Sequence, residues 1–260
     1  MQLHYREQGQ GHPLVILHGL FGTLDNWQSL ARRWAEHFRV IAVDLRNHGR
    51  SPHAPEHSYE LMAQDVLELF DHLGLDGSQL TLLGHSMGGK VAMRLALSHP
   101  ERLARLVVLD IAPRFSDMRH QDDILAGLHA VDLGKLENRQ QADEALSQHI
   151  RWPDVRQFLL KNLYRRDDNS FAWRPNLAAL TAEMEAIGAE ITAETPFLKP
   201  TLFIRGGKSD YISTEDKLYH IPQLFPNSVV ETVVDAGHWV HAEAHDKVFE
   251  LVTAFASVNY

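Results

Sequence analysis

Four short runs of consecutive aliphatic residues lie in the first half of the chain and constrain its fold more than any other feature. They occupy residues 14–17, 40–43, 80–83 and 106–109. Runs that are apolar at every position, instead of at every second one, predict strands that are covered on both faces, as in a parallel sheet. The segments between the runs have helical spacing, as at Leu61, Leu69 and Leu73. This alternation predicts an α/β fold with a doubly wound sheet.

The rest of the chain adds strands at its two ends and a helical block between them. Further strands are predicted at residues 3–7, 201–204 and 229–234, which makes a mostly parallel sheet of seven or eight strands with helices on both faces. Amphipathic spacing predicts helices at 124–131, 142–150, 155–164 and 177–187. We therefore expect residues 1–113 and 197–260 to form the core, and residues 114–196 to form a helical cap over the ligand crevice. The alternative is a packed layer without a role in substrate access.

The charge and composition of the 260-residue chain exclude several classes of partner. A formal net charge of −9 argues against binding to nucleic acid or to anionic lipid, so the expected partner is a small molecule. The absence of cysteine excludes disulfides, thiolate catalysis and zinc–thiolate sites. Residues 1–7 have no apolar stretch after a basic start, and no segment approaches the ~20 apolar residues of a membrane span. We expect a cytoplasmic protein without a membrane segment; it could be a monomer or a small homo-oligomer.

A Gly-x-Ser-x-Gly motif follows the third apolar run directly. Residues 84–89 read Gly-His-Ser-Met-Gly-Gly, and a segment with helical spacing begins at Lys90. A serine on a tight turn between a strand and a helix needs small neighbours, because other backbone passes close to it. The amino-terminal end of the helix also favours negative charge on the oxygen of an attacked carbonyl group. In this context the motif predicts Ser86 as a catalytic nucleophile.

His238 is the predicted general base. It lies on a loop after the last strand, and the order of serine first and histidine last is typical of this fold. From such a loop the imidazole can reach a serine on one side and a carboxylate on the other. His241 and Glu243 lie nearby but lack a second matching cluster, so we predict no metal site.

Two backbone amides are predicted to form an oxyanion hole. Met87 follows the nucleophile, and the first apolar run ends in His-Gly-Leu-Phe-Gly at residues 18–22, where a turn brings the Phe21 N–H to the same point. Two preorganised amide donors are the usual requirement for acyl transfer. The alternative is that residues 18–22 form an ordinary turn between a strand and a helix.

Two aspartates qualify as the acid that orients the histidine. Asp110 ends the fourth apolar run, and Asp210 follows the strand at 201–204, so both lie at the carboxyl ends of strands. Either could hold the imidazole in the required tautomer. The residues by themselves leave this choice open.

Taken together, these segments resemble the YbfF-type bacterial esterases. The similarity extends over nearly the whole chain and rests on residues 84–90, 18–22, 44–49, 109–113 and 237–243. The combination is more specific than Gly-x-Ser-x-Gly alone, above all through Lys90 and residues 239–243. The resemblance implies an α/β-hydrolase fold serine esterase that cleaves carboxyl esters without a cofactor. It also implies Asp110 as the acid, whereas Asp210 occupies the position that most other α/β-hydrolases use.

The sequence therefore predicts a carboxylesterase for short- to medium-chain acyl esters, in which Ser86 forms an acyl-enzyme that water releases. Four cap residues are candidates for the substrate pocket: Trp152, Phe158, Leu159 and Trp173. Hydrolysis of thioesters, hydrolysis of carbon–carbon bonds and perhydrolysis are alternatives that use the same triad. Epoxide hydrolysis is disfavoured, since it needs a carboxylate at the position of Ser86. An alternative from another class, a ligand receptor, would bind stoichiometrically without turnover.

Overall fold

The computed structural model describes residues 1–258, and a sheet of seven strands lies at its centre. In chain order the strands are β1 (Tyr5–Gln8), β2 (Pro13–Leu17), β3 (Arg39–Val43), β4 (Thr81–His85), β5 (Arg105–Leu109), β6 (Leu163–Arg165), β7 (Phe171–Trp173), β8 (Thr201–Gly206) and β9 (Ser228–Val233). The large sheet has the order β1-β3-β2-β4-β5-β8-β9. Strand β1 pairs with β3 in the antiparallel sense, and the other pairs of this sheet are parallel. The predicted mostly parallel sheet is confirmed.

Each central strand contributes side chains to two separate cores, which explains why its residues are apolar at every position. In β2, Val15 and Leu17 belong to the core on one face of the sheet, and Leu14 and Ile16 belong to the core on the other. All four side chains are fully buried. Because successive side chains of a strand point to opposite faces, a strand buried on both faces cannot show alternation of apolar and polar residues.

Helices cover both faces of this sheet. They are α1 (Gln28–Trp34), α2 (Tyr59–His72), α3 (Met87–Ser98), α4 (Asp122–Ala130), α5 (Arg139–Ser147), α6 (Pro153–Leu160), α7 (Leu177–Ala182), α8 (Met184–Gly188), α9 (Ile221–Leu224), α10 (Val240–Glu243) and α11 (His245–Ala256). Helices α2 and α3 pack into one core, and α1 and α11 pack into the other. Within residues 1–258, no helix combines the length and the hydropathy that crossing a bilayer requires.

The segment between β5 and β8 is mainly helical, but two of its predicted elements are wrong. The helix predicted at 155–164 ends at Leu160, and the chain continues into the β6–β7 hairpin, which was not predicted. Strands of three residues are too short to show a period. The helix predicted at 177–187 is divided at Glu183 into α7 and α8. The division into a core and a cap at residues 114 and 196 stays a prediction.

The chain leaves the sheet after β5 and returns to it before β8. These two crossings are hydrogen-bonded to each other and to helix α3. The Ser116 N–H donates to Gly188 O at 2.9 Å, which joins the outgoing crossing to the returning one. The buried Lys90 ammonium donates to three backbone carbonyls, those of Arg114 at 3.0 Å, Gly188 at 3.2 Å and Ala189 at 2.6 Å. Burial, followed by the charge of Arg114, lowers the pKa of Lys90 to about 7. Lys90 therefore fixes both crossings to the helix that begins at Met87.

Replacing Lys90 with methionine tests this attachment. The variant Lys90→Met keeps an apolar stem of similar length but removes the donor to the carbonyls of Arg114 and Ala189 and one of the two donors to Gly188 O, so we expect the free energy of unfolding to fall by roughly 2 to 4 kcal/mol. Urea denaturation measures it. The matched control Lys135→Met, whose side chain is 86% exposed, should unfold like the wild type. Equal stability of Lys90→Met and the wild type would contradict the proposed attachment.

Candidate active site

Ser86 lies on a strained turn between β4 and α3. Its backbone has φ 52° and ψ −120°, a conformation that non-glycine residues rarely adopt. The flanking glycines are required by close backbone contacts: a Cβ on Gly84 would lie 2.1 Å from Gly88 O, and one on Gly88 would lie 2.5 Å from His18 O. The turn predicted from the Gly-x-Ser-x-Gly motif is therefore present.

The structure brings Ser86, His238 and Asp110 together in one hydrogen-bonded row. His238 Nε2 lies 3.0 Å from Ser86 Oγ, and His238 Nδ1 lies 2.8 Å from Asp110 Oδ2. His238 reaches this position from the loop between β9 and α10. With Nδ1–H donated to the carboxylate, Nε2 carries the lone pair that can accept the serine proton.

Asp110, and not Asp210, contacts the histidine. Asp110 is fully buried, with φ 48°, and its second oxygen accepts the Gly206 N–H at 2.8 Å. The Ser209 hydroxyl also donates to Asp110 Oδ2. Asp210 is exposed, and its backbone carbonyl accepts a bond from Arg114 at 3.2 Å. The ends of β5 and β8 therefore build a site for one buried carboxylate, which the neighbouring Ser209 helps to bind.

Two residues that the sequence did not single out hold the His238 loop. The Tyr211 ring stacks on the His238 ring with centroids 4.0 Å apart. Burial, followed by the charge of Asp110, raises the pKa of Tyr211 to about 12. On the other side, His85 Nε2 donates to the His238 carbonyl at 2.9 Å. The sequence offered one signal for each residue: Tyr211 follows Asp210, and His85 precedes Ser86.

The turn after β2 lies against the nucleophile, but it uses Phe21 differently from the prediction. A Cβ on Gly19 would lie 3.2 Å from Ser86 Cβ, so this turn is in contact with Ser86. The Phe21 N–H donates to His48 Nε2 at 3.2 Å and is therefore already engaged within the protein. The preceding amide, that of Leu20, makes no hydrogen bond to another described residue. Within this turn, the Leu20 N–H and not the Phe21 N–H is therefore free to donate to a bound oxyanion.

Met87, the other predicted oxyanion donor, directly follows Ser86. It is the first residue of α3, where an N–H has no carbonyl of a preceding turn to donate to. Its amide is therefore available next to Ser86, as the sequence predicts.

A mainly apolar cavity opens onto Ser86 and His238. The space it encloses, with the open solvent at its mouth included, is about 820 Å³. The apolar side chains that line it include Met87, Ile111, Met118, Ile124, Val155, Phe158, Leu159 and Ile187. The cavity is therefore suited to an apolar group attached to the reacting carbonyl.

Two of the four predicted pocket residues line this cavity and two do not. Phe158 and Leu159 are part of its wall. Trp152 precedes α6 and is 54% exposed, with the Arg151 guanidinium 4.2 Å from the centre of its ring. Trp173 is buried in β7, opposite Leu163 of β6. Neither tryptophan is part of the cavity wall, so the prediction for both is wrong: one is exposed before α6, and the other is buried in the hairpin.

Five histidines around the site are buried and neutral. Burial is the largest cause in each case: it lowers the pKa of His18 to about 4, of His48 and His241 to about 3 and of His57 to about 2. The pKa of His85 is also well below its usual value for the same reason. Among the described residues, no group of histidine and carboxylate side chains is arranged to hold a metal ion. These rings act as neutral donors, acceptors and packing groups.

Comparison with known proteins shows the family to which the chain belongs. A family model described as alpha/beta hydrolase fold matches residues 12–244. The chain is 38% identical to the esterase YbfF of Escherichia coli over 251 residues, which cover 96% of this chain and 95% of that protein. It is 41% identical to the sn-1-specific diacylglycerol lipase ABHD11 of Mus musculus over 249 residues, covering 93% of this chain and 80% of that protein. The resemblance inferred from the motifs is confirmed.

A solved structure extends the agreement to three dimensions. The chain superimposes on a structure titled "Marine microorganism esterase" with a TM-score of 0.95 and 37% sequence identity. The match covers 98% of this chain and 99% of that one. The arrangement of sheet and helices is therefore shared over nearly the whole length of both.

The buried histidines predict loss of stability in mild acid. Above pH 6.5 these histidines are neutral in both the folded and the unfolded state. Below pH 6.5 they become protonated in the unfolded chain, whereas in the folded protein they stay neutral down to about pH 4 or lower. Each histidine then removes up to about 1.4 kcal/mol of unfolding free energy per pH unit. Urea midpoints between pH 7 and 5 measure the effect. A midpoint that stays constant over this range would contradict the neutral state of these rings.

Proposed function

This chain belongs to the alpha/beta-hydrolase fold family and is a hydrolase of the esterase/lipase type, and from this premise we propose that it is a carboxylesterase for short- to medium-chain acyl esters acting through Ser86, His238 and Asp110. The observation that carries the proposal is the position of His238, 3.0 Å from Ser86 Oγ and 2.8 Å from Asp110 Oδ2. A serine, a base and a buried acid in this order form the arrangement used for acyl transfer.

In the acylation step, Ser86 Oγ attacks the ester carbonyl while His238 Nε2 takes its proton. Negative charge moves to the carbonyl oxygen, which the N–H groups of Met87 and Leu20 stabilise. Asp110 stabilises the imidazolium that forms and keeps its orientation. His238 then gives the proton to the leaving alcohol oxygen, the ester C–O bond breaks and the acyl group stays on Ser86.

Water completes the cycle by the same steps in the second half-reaction. His238 takes a proton from water, the resulting hydroxide attacks the acyl-enzyme, and the same two amides stabilise the second oxyanion. The proton returns to Ser86 Oγ as the carboxylic acid leaves. The protein groups in place supply each of these proton transfers.

The cavity wall supports an uncharged acyl group as the substrate. Two of its polar side chains are already bonded to the backbone: Lys90 donates to three carbonyls, and the Tyr59 hydroxyl donates to Ile187 O at 2.5 Å. A carboxylate on the acyl group would lose its hydration in the cavity. Lys90 would not compensate for this loss, because its ammonium group is already bonded to carbonyls. An aliphatic acyl chain would instead pack against the apolar side chains described above.

The type of bond cleaved, the location and the oligomeric state are proposed from the sequence alone. Thioester hydrolysis, carbon–carbon bond hydrolysis and perhydrolysis remain alternatives, since they need the same nucleophile and base. A cytoplasmic location and a monomeric or small homo-oligomeric state stay predictions. The diacylglycerol lipase named among the relatives adds one further substrate to test, a diacylglycerol with long acyl chains.

A series of p-nitrophenyl esters from acetate to palmitate tests the function and the size of the acyl group. We expect the highest kcat/KM between butyrate and octanoate, and lower values for palmitate and for a long-chain diacylglycerol. Ser86→Ala should lower kcat by on the order of 10⁴-fold or more, because the nucleophile is lost. The exposed Ser78→Ala variant is the matched control and should match the wild type. If the wild type turned over none of these esters, the esterase proposal would be wrong and an acyl thioester would be tested next.

Paired amide substitutions test which carboxylate is the acid. Asp110→Asn removes the acceptor that holds His238 Nδ1–H, and we expect kcat to fall by roughly 10³- to 10⁴-fold through loss of the correct tautomer. Asp210→Asn is the control, because that side chain is exposed. Steady-state kinetics on one ester decide between them. A collapse of kcat in Asp210→Asn alone would reverse the assignment.

A further inference from the structure

The backbone of Phe21 is held from both sides in a strained conformation. Its φ is 58°, in the left-handed region that a bulky side chain rarely adopts. The N–H donates to His48 Nε2 at 3.2 Å, and the carbonyl accepts from Asn162 Nδ2 at 2.7 Å. Phe21, His48 and Asn162 are each at most 2% exposed. A conformation that costs energy by itself persists only when its surroundings determine it.

The strained residue belongs to a tight turn next to the nucleophile. The Gly22 N–H donates to Gly19 O at 2.9 Å, so residues 19–22 form a closed four-residue turn with Phe21 at its third position. A positive φ at this position is usually provided by glycine. Rotation of the peptide between Leu20 and Phe21 would relieve the strain, but it would break the bond to His48 and reorient the Leu20 carbonyl, which would loosen the turn that carries the Leu20 N–H.

His48 is set up as a hydrogen-bond acceptor. Its Nδ1 lies 3.0 Å from Arg46 O and must donate to that carbonyl, which leaves a lone pair on Nε2 for the Phe21 N–H. The ring is fully buried, and burial keeps it neutral because it lowers the pKa to about 3. The acceptor is therefore present throughout the range of pH in which the protein would act.

Asn162 reaches the turn from the segment between β5 and β8, which we call the cap segment. It lies between α6 and β6, and its backbone carbonyl accepts the Arg174 N–H at 2.9 Å within the same segment. Its amide nitrogen crosses to a residue 141 positions earlier in the chain. The carbonyl of Phe21 therefore has its partner only when the cap segment is in this position.

We propose that His48 and Asn162 are positioning residues that hold the strained Phe21 backbone, so that the Leu20 N–H is directed at the carbonyl oxygen of the substrate, and that Asn162 makes this donor depend on the cap. The inference rests on the proposed function. The N–H and the carbonyl of Phe21 then have a structural role. The N–H of the preceding residue, Leu20, is the donor to the oxyanion.

The variants Asn162→Leu and His48→Phe test the proposal by removing one partner each. We expect kcat on a p-nitrophenyl ester to fall about 10- to 100-fold with KM changed less than about threefold, since the lost stabilisation acts on the oxyanion. The affinity for a trifluoromethyl ketone, which adds to the serine and forms an oxyanion, should fall by the same factor as kcat/KM. His48→Gln keeps an acceptor oxygen and should recover much of the activity.

Asn176→Leu is the matched control for loss of a bond between cap and core. Asn176 also lies in the cap segment and donates from its side chain to Asn47 Oδ1 at 3.1 Å, away from the Phe21 carbonyl. It should lower thermal stability like Asn162→Leu while kcat stays within about twofold of the wild type. Equal kcat values for the two variants, or unchanged ketone affinity in Asn162→Leu, would overturn the inference. A wild type that neither cleaves esters nor binds the ketone would overturn the proposed function, and this inference with it.

Discussion

The arrangement of the site depends on one fully buried carboxylate, that of Asp110. A charge without water is costly unless it is paired and hydrogen-bonded, and the cost of an unpaired one is several kcal/mol. Asp110 meets this requirement with three donors from two segments: the Gly206 N–H and the Ser209 hydroxyl at the end of β8 and just after it, and His238 from the loop after β9. Satisfying this single group therefore brings the carboxyl ends of three parallel strands to one point and orients the imidazole that faces Ser86.

A second set of contacts makes the cap segment part of the same unit. Lys90 lies one helical turn after Ser86 and holds both crossings of the cap segment through backbone carbonyls. Asn162 joins the cap segment to the turn that carries Leu20. Hydrogen bonds therefore join this segment to the helix that follows the nucleophile and to the turn after β2. Their donor side chains, Lys90 and Asn162, are buried, where an unpaired polar group is expensive. The proposed specificity for uncharged acyl groups is supported by the same bonds of Lys90, because they occupy a charged side chain of the cavity wall.

Most of the fold and part of the site could be predicted from local sequence patterns. The consecutive aliphatic residues of β2 to β5 predict strands buried on both faces, and the glycines around Ser86 predict the turn that the backbone contacts of Gly84 and Gly88 require. The errors lie where the pattern is too short or too general. The β6–β7 strands have three residues each, and an aromatic residue in a cap segment, such as Trp152 or Trp173, carries no information about which way its side chain points.

The sequence by itself determined the α/β sheet, the turn at Ser86 and the position of His238 after the last strand, because each depends on residues that are neighbours in the chain or on the alternation of strand and helix. Only the tertiary structure places Asp110, and not Asp210, against His238, engages the Phe21 N–H with His48, and joins Asn162 to Phe21. These outcomes depend on contacts between residues about 30 to 140 positions apart. No local pattern records such contacts, since they form only when burial forces each polar group to find a partner.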